Sequence, residues 1–332
     1  FVHSETGTGI TSIEGGVFTG YKQSEIAEGI KYVDLGDQLT KMGNNVFMST
    51  SIENIVIPAQ LTNIGIYLFG ECMSYGATPK TVTFEGNSDI KFALSDNSKY
   101  PDRKYSHATF TNEGDESSII FFGEEGTNVI DYTKESGARF FVKDKSGDLN
   151  ETLKWGLTPA ETSGKYTLVI YGTGDMPNYK PTTLVSRPWA KYADSITGIE
   201  IAGGVTSVGN YAFSGLSNVT SLALGDDITN IGNYAFYDLT SLSGTVRMSS
   251  KVANIGEGAF ALSSQGGEDT ALTFIITNEN CTIAGDYKEN RYAVADTKAV
   301  SSGPIGAGSG TNPASNVVYT IYENGDAPGT YR

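Results

Sequence analysis

The sequence predicts a β-rich solenoid of short tandem repeats, with short helical or 3-10 turns, arranged as two stacked blocks closed by β-hairpin caps. Three observations predict it. A nine-residue phrase recurs along the 332 residues at a nearly constant period. Each clear copy follows a short run of alternating apolar and polar residues, which marks a strand with one buried face. The composition, with 40 Gly, 19 Tyr and 15 Phe, favours many strands and turns over long helices.

The phrase reads VTSVGNYAF from Val205 to Phe213, ITNIGNYAF from Ile228 to Phe236 and VANIGEGAF from Val252 to Phe260. It appears earlier as LTKMGNNVF from Leu39 to Phe47 and LTNIGIYLF from Leu61 to Phe69, with a worn copy, ITSIEGGVF, from Ile10 to Phe18. Phe47 to Phe69, Phe213 to Phe236 and Phe236 to Phe260 are steps of 22, 23 and 24 residues, inside the window of leucine-rich repeats. The preceding strands are read at Val33-Asp34-Leu35, Ile55-Val56-Ile57, Ile199-Glu200-Ile201, Leu222-Ala223-Leu224 and Val246-Arg247-Met248.

Each of the five clear copies carries a glycine before its last four residues: Gly43, Gly65, Gly209, Gly232 and Gly256. Such a glycine either adopts a backbone conformation closed to residues with a Cβ or lets the chain pass close to its neighbour. The x-x-Ala-Phe that follows is expected to form one helical or 3-10 turn aiming Phe inward. A single unit has about six apolar side chains and cannot bury them alone; stacked copies bury them in continuous rows. A fully buried Phe or Ile contributes roughly 1.5–3 kcal/mol.

The pattern I-x-I-x-x-x-V-T-x-I-G-x-x-A-F resembles the BspA-type leucine-rich repeats of bacterial surface proteins. Cys72, three residues after Phe69, matches a Cys that often follows A-F in that family. The segment from Trp155 to Trp189, with Tyr166 to Tyr171, Gly172-Thr-Gly174, Met176 and Pro188-Trp189, resembles the β-hairpin lead-in to a repeat block in such proteins. The resemblance covers most of residues 10 to 84 and 155 to 276. It departs from the commonest leucine-rich class in lacking that class's Asn/Cys ladder, and Gly244 is an insertion. The family implies a cell-surface adhesion role.

Two blocks are expected: residues 1–150, a repeat block with capping strands, and residues 151–332, the hairpin lead-in, a second repeat block and a C-terminal cap. The ends run parallel. Thr81 to Phe84 and Ser118 to Phe122 close the first block, with Phe140 to Val142 adding a strand. Ala271 to Phe274 and Asn316 to Tyr322 close the second, around a Gly/Ser-rich insert from Ser301 to Asn312. Caps are needed because an open stack exposes apolar surface and strand edges.

Chemistry is sparse. His3 lies in a terminal tail and His107 in a polar insert, and no hydrolase, zinc-protease or P-loop motif occurs. The 38 acidic residues are scattered mainly in loops, as solvated charge. Asp144 to Asn150 has some calcium-loop spacing but holds Leu149 where a Gly belongs and Trp155 where a bidentate Glu belongs. Gly172-Thr-Gly174 reads as a hairpin turn. Cys72 and Cys281 read as separate buried thiols. The reading is therefore of no enzyme, no catalytic residue, no metal and no cofactor. A net charge of −15 disfavours nucleic acid and anionic lipid, and no apolar run is long enough to span a bilayer. The first residue is Phe rather than Met, consistent with a mature or trimmed form from which a signal peptide or lipid anchor was removed.

A binding face remains. The outward strand positions are Tyr32 and Asp34, Asn54 and Val56, Gly198 and Glu200, Ser221 and Ala223, Thr245 and Arg247. Tyr32, Asp34, Asn54, Glu200 and Arg247 are the candidate contact residues. Loop tyrosines Tyr100, Tyr105, Tyr287 and Tyr292 are alternatives. The expected function is a non-catalytic secreted or cell-surface protein that binds host-matrix or bacterial-surface proteins; the alternative is a carbohydrate-binding module of a surface glycan system.

Overall fold

The computed structural model describes residues 9–18, 30–48, 50, 52–69, 80–86, 89–92, 109–110, 116–181, 187–261, 272–276, 278, 281–284 and 318–321. The described residues are strand-rich, with one α-helix and one 3-10 helix, and the chain divides into two compact units, Phe1–Lys143 and Asp144–Arg332. His3, His107, Cys72, the four loop tyrosines and the insert from Ser301 to Asn312 lie outside the described residues.

In the first unit the strands are β1 Ser12–Ile13, β2 Lys41–Met42, β3 Asn54–Ile57, β4 Asn63–Ile64, β5 Thr81–Phe84, β6 Ile120–Gly123 and β7 Arg139–Val142; helix α1, Val129–Ser136, links the last two. They form two parallel sheets, β1-β2-β4 and β3-β5-β6-β7. A repeat therefore supplies two strands. The long one is the alternating run, and the short one lies inside the phrase itself, where Ser12, Lys41 and Asn63 stand in register. Parallel pairing follows because each repeat carries the chain in the same direction one step on.

One expected strand is absent. Val33 to Leu35 forms no strand, because the Asp34 carboxylate accepts the Gly36 N–H at 2.9 Å and Gly36 has φ of +61°, which turns the chain where it would have to stay extended.

The second unit opens with β8 Ser146–Asp148, β9 Leu153–Pro159, β10 Tyr166–Gly172 and β11 Gly174–Asp175. Strands β9 and β10 form an antiparallel hairpin from Tyr166 opposite Pro159 to Gly172 opposite Leu153. After a 3-10 turn, Ala190–Ser195, come β12 Ile196–Ile201, β13 Val205–Val208, β14 Ser221–Leu224, β15 Asn230–Ile231, β16 Gly244–Met248, β17 Asn254–Ile255, β18 Leu272–Ile276, β19 Thr282–Ile283 and β20 Val318–Ile321. The sheets run β8-β9-β10-β12-β14, β11-β13-β15-β17-β19 and β16-β18-β20. Gly172-Thr-Gly174 is thus not a hairpin turn, as the sequence implied. It is the corner where the chain leaves one sheet for another, with φ of +109° at Gly172 and +103° at Gly174.

The closing aromatics form columns. Phe18, Phe47 and Phe69 stack with centroids 5.7 and 5.4 Å apart; Trp189, Phe213, Phe236 and Phe260 stack at 5.5, 5.3 and 4.9 Å. The repeat glycine serves close approach, since its φ is not positive. A Cβ on Gly232 would lie 2.6 Å from the Asn210 nitrogen, and one on Gly209 would lie 1.9 Å from the Pro177 oxygen. The positive φ sits two residues later, at Gly16, Asn45, Tyr67, Tyr211, Tyr234 and Gly258. That left-handed residue is why x-x-Ala-Phe is a turn and not a helix: Tyr234 and Phe236 donate their N–H to Glu257 and Ala259 of the next repeat, at 2.8 and 2.7 Å.

Asparagine forms a ladder at a position of its own, next to the glycine. Asn178 Oδ1 accepts the N–H of Asn210, Asn210 Oδ1 that of Asn233, and Asn233 Oδ1 that of Glu257, at 2.8, 2.7 and 3.0 Å; Asn44 does the same for Ile66 at 2.9 Å. The lead-in is itself a partial repeat. Met176-Pro177-Asn178-Tyr179 occupies the place of Val208-Gly209-Asn210-Tyr211, with Asp175 in register with Ser207. The glycine position holds Pro177 there and Glu14 in the worn copy, and among the described residues no further copy precedes either within its own unit.

Candidate interaction surface

The long strands of the second unit present alternate residues outward. Glu200 of β12 stands between Val169 and Ala223, and Gly198 between Thr167 and Ser221, but Val169 and Gly198 are buried, so Gly198 is not the outward residue the alternation implied. Glu200 is half-buried. Arg247 of β16 is exposed and lies in register with Ile275 of β18. Glu200 and Arg247 belong to different sheets, so no single ladder unites them. In the first unit Asn54 opens β3, exposed, with its Oδ1 accepting the Thr81 hydroxyl at 2.7 Å. Tyr32 is 88% exposed and Asp34 is exposed, both outside any strand. Among the described residues the exposed large apolar ones, Ile10, Val17, Ile30, Tyr32 and Val56, all belong to this first unit.

A second surface feature escaped the sequence reading. Tyr211 and Tyr234 stack face to face, centroids 5.0 Å apart and planes 12° apart, and Tyr234 donates its hydroxyl to Glu257 Oε1 at 3.1 Å. Tyr237 meets Tyr234 edge-on at 5.6 Å. Recurrence of Gly-Asn-Tyr at 209–211 and 232–234 is the signal that could have revealed it. Because the ring faces are turned on each other, the column offers edges rather than a flat aromatic platform.

The buried polar groups belong to the core. Glu116 accepts the Tyr132 hydroxyl on both oxygens at 2.8 Å and the Phe110 N–H at 2.9 Å; burial, then the charge of Glu116, holds the Tyr132 hydroxyl well above its ordinary range. Arg187 donates from Nη1 to the carbonyls of Tyr211, Ala212 and Ser214, tying the lead-in to the first full repeat. Its own pKa is lowered by burial, and burial pushes nearby Tyr179 up to about 12. Cys281 is a buried free thiol that burial pushes up to about 12.

The Asp144 to Asn150 run holds β8 and the start of the turn from it into β9. Asn150 Oδ1 accepts the N–H groups of Thr152 and Leu153, and Asp148 pairs with Lys154. Among the described residues no three His, Cys, Asp or Glu side chains gather as metal ligands, and no helix is long and apolar enough to cross a membrane.

Solved structures resemble the chain weakly. A leucine-rich repeat protein from Eubacterium ventriosum shares 25% identity over 42% of this chain, with a TM-score of 0.31; the match spans 40% of that protein's own chain. One from Bacteroides ovatus is 16% identical over 83% of this chain and 70% of that chain, with a TM-score of 0.20. The pneumococcal vaccine antigen PcpA is 13% identical over 83% of this chain and 71% of that one, also at 0.20. No curated protein sequence matches. Residues 4–88 and 189–287, more than half the chain, match the BspA type leucine-rich repeat region in six copies. The chain belongs to the BspA-type leucine-rich repeat family.

Proposed function

We propose that the chain is a non-catalytic interaction protein of the bacterial cell surface or exterior, built from two leucine-rich-repeat solenoids, residues 1–150 and 151–332, and binding a protein partner across its repeat faces. The observation that carries this reading is the outer side of the long strands in the second unit, where half-buried Glu200 and exposed Ala223 stand in register one 23-residue repeat apart. Membership of a repeat family and a solenoid's long face support a macromolecular partner. Tyr32, Asp34, Asn54, Glu200 and Arg247 are the proposed contacts. Glycan binding through stacking would use exposed ring faces; Tyr211 and Tyr234 turn one face each on the other.

Binding of the full chain to extracellular-matrix proteins and to bacterial surface proteins, set beside a glycan array, tests the reading. Retention of a protein that is lost on Glu200→Lys or Arg247→Glu is expected. Glycan binding alone, or a measurable hydrolase turnover, would overturn it.

A further inference from the structure

We propose that the second unit carries a hinge between β14 and β16, set by the single inserted residue Gly244. The steps along the long strands locate the insertion. Ile199 to Leu222 is 23 residues and Leu222 to Val246 is 24. From the short strand to the next long one, Val208 to Leu222 is 14 residues and Ile231 to Val246 is 15. Leu242 keeps the buried place that Val219 holds one repeat earlier, so the extra residue falls after it, at Gly244, whose φ is +83°.

The insertion does not slip the strand by one. A slip would turn Val246 and Met248 outward, yet both are buried. The turn at Gly244 absorbs the residue, and the strand keeps its inward face. The ladder that joins β12 to β14 and β16 to β18 is not formed between β14 and β16, which end one sheet and begin another. Leu222 and Leu224, at the inward positions of β14, are only half-buried, whereas Ile199, Ile201, Val246 and Met248 at the same positions are buried.

On the opposite side of the same repeats nothing is interrupted. The short ladder runs through Ser207, Asn230 and Asn254 in register. The asparagine ladder crosses from Asn233 to Glu257, and Phe236 and Phe260 stack at 4.9 Å. One side of the stack is bonded throughout, while on the other the backbone ladder is missing between β14 and β16 and the repeats are joined just beyond it only by side chains, Lys251 to Asp227 and the Ser249 hydroxyl to the Ile228 carbonyl at 3.4 Å, which is the geometry of a hinge with its pivot on the short ladder. Repeat stacks hold together only through neighbouring contacts, so losing one ladder at one interface concentrates opening there. Motion at the seam would change the angle between the outer face that carries Glu200 and the one that carries Arg247.

Hydrogen exchange on the full chain, resolved to single amides, tests this. The amides of β14 that face β16 are expected to exchange about tenfold or more faster than those of β12. Deleting Gly244 restores the 23-residue step and is expected to bring Leu222 and Leu224 to the protection of β12. Inserting one Gly between Thr220 and Ser221 is expected to open a second seam between β12 and β14. Equal protection of β12, β14 and β16 in the unaltered chain overturns the proposal, as does an insertion that leaves exchange at β12 and β14 unchanged. These two measurements decide the matter if the deletion variant does not fold.

Discussion

Asn210 Oδ1 accepts the backbone N–H of Asn233 at 2.7 Å, one repeat further along the chain. The bond repeats: Asn233 in turn serves Glu257 at 3.0 Å. Each asparagine thus supplies an acceptor to a donor that its own repeat cannot satisfy. Asn233→Ala leaves the Glu257 N–H without that acceptor and is expected to cost about 1 kcal/mol. Asn233→Asp, which keeps the acceptor, is expected to cost less. Urea denaturation checks both, with an unchanged m-value showing that the loss is local.

Gly232 and Glu14 hold the same place in different copies. A Cβ on Gly232 would lie 2.6 Å from both the nitrogen and Oδ1 of Asn210. Gly232→Ala should therefore destabilise the second unit by about 1–3 kcal/mol through overpacking. Glu14 is exposed and already carries a Cβ, so Glu14→Ala should stay within about 0.5 kcal/mol. Equal effects in thermal melts would show that the glycine is not there for close approach.

Phe236 is 1% exposed and has a ring on either side, Phe213 at 5.3 Å and Phe260 at 4.9 Å. Phe236→Ala should cost about 3–5 kcal/mol, the lost transfer energy plus an unfilled cavity. Phe18 begins its column and is half-buried, so Phe18→Ala should cost less. Chemical denaturation of the two variants orders them.

Asp227 braces three successive repeats. Its carboxylate accepts the Gly204 N–H at 2.9 Å and a bond from Lys251 Nζ at 2.6 Å, and Lys251 first, then Gly204, holds its pKa below the ordinary carboxylate value. A depressed folded pKa means stability that is present above the unfolded value, about 4, and lost as pH falls through the folded one. The melting-temperature gap between the natural chain and Asp227→Asn should be open at pH 7, start to narrow below about pH 4 and close as the pH falls through the lower folded value. The pair is exposed, so added salt should narrow the gap at pH 7. A gap that does not narrow as the pH falls would contradict the brace.

The sequence made the long strands and the phenylalanine columns legible because both repeat as side-chain types at a fixed step. Ile55, Ile199 and Val246 alternate with polar residues, and Phe47, Phe213 and Phe236 close each phrase. The short strands were hidden because two residues, such as Asn230 and Ile231, are too few to show a period of two. The turn at Tyr234 was misread as helical because its left-handed backbone is a tertiary outcome: the N–H groups of Tyr234 and Phe236 go to the next repeat. At Val33 to Leu35 the alternation was present, and the Asp34 to Gly36 turn overrode it. Pattern placed all five candidate contact residues on strands; Asn54, Glu200 and Arg247 lie on them, and Tyr32 and Asp34 do not. No local pattern could say that Glu200 and Arg247 fall on separate sheets, since that depends on one inserted glycine.

The aromatic column of the second unit also has an optical consequence. The chain has two tryptophans. Trp189 is fully buried on Phe213, and Trp155 meets it edge-on at 6.1 Å. Both indoles therefore report from the head of one stack. Tryptophan emission followed through a melt is blind to the first unit, whose aromatics are all Phe and Tyr. If the two units come apart at different temperatures, emission and circular dichroism should give separate midpoints, and their divergence would time the two losses without any label.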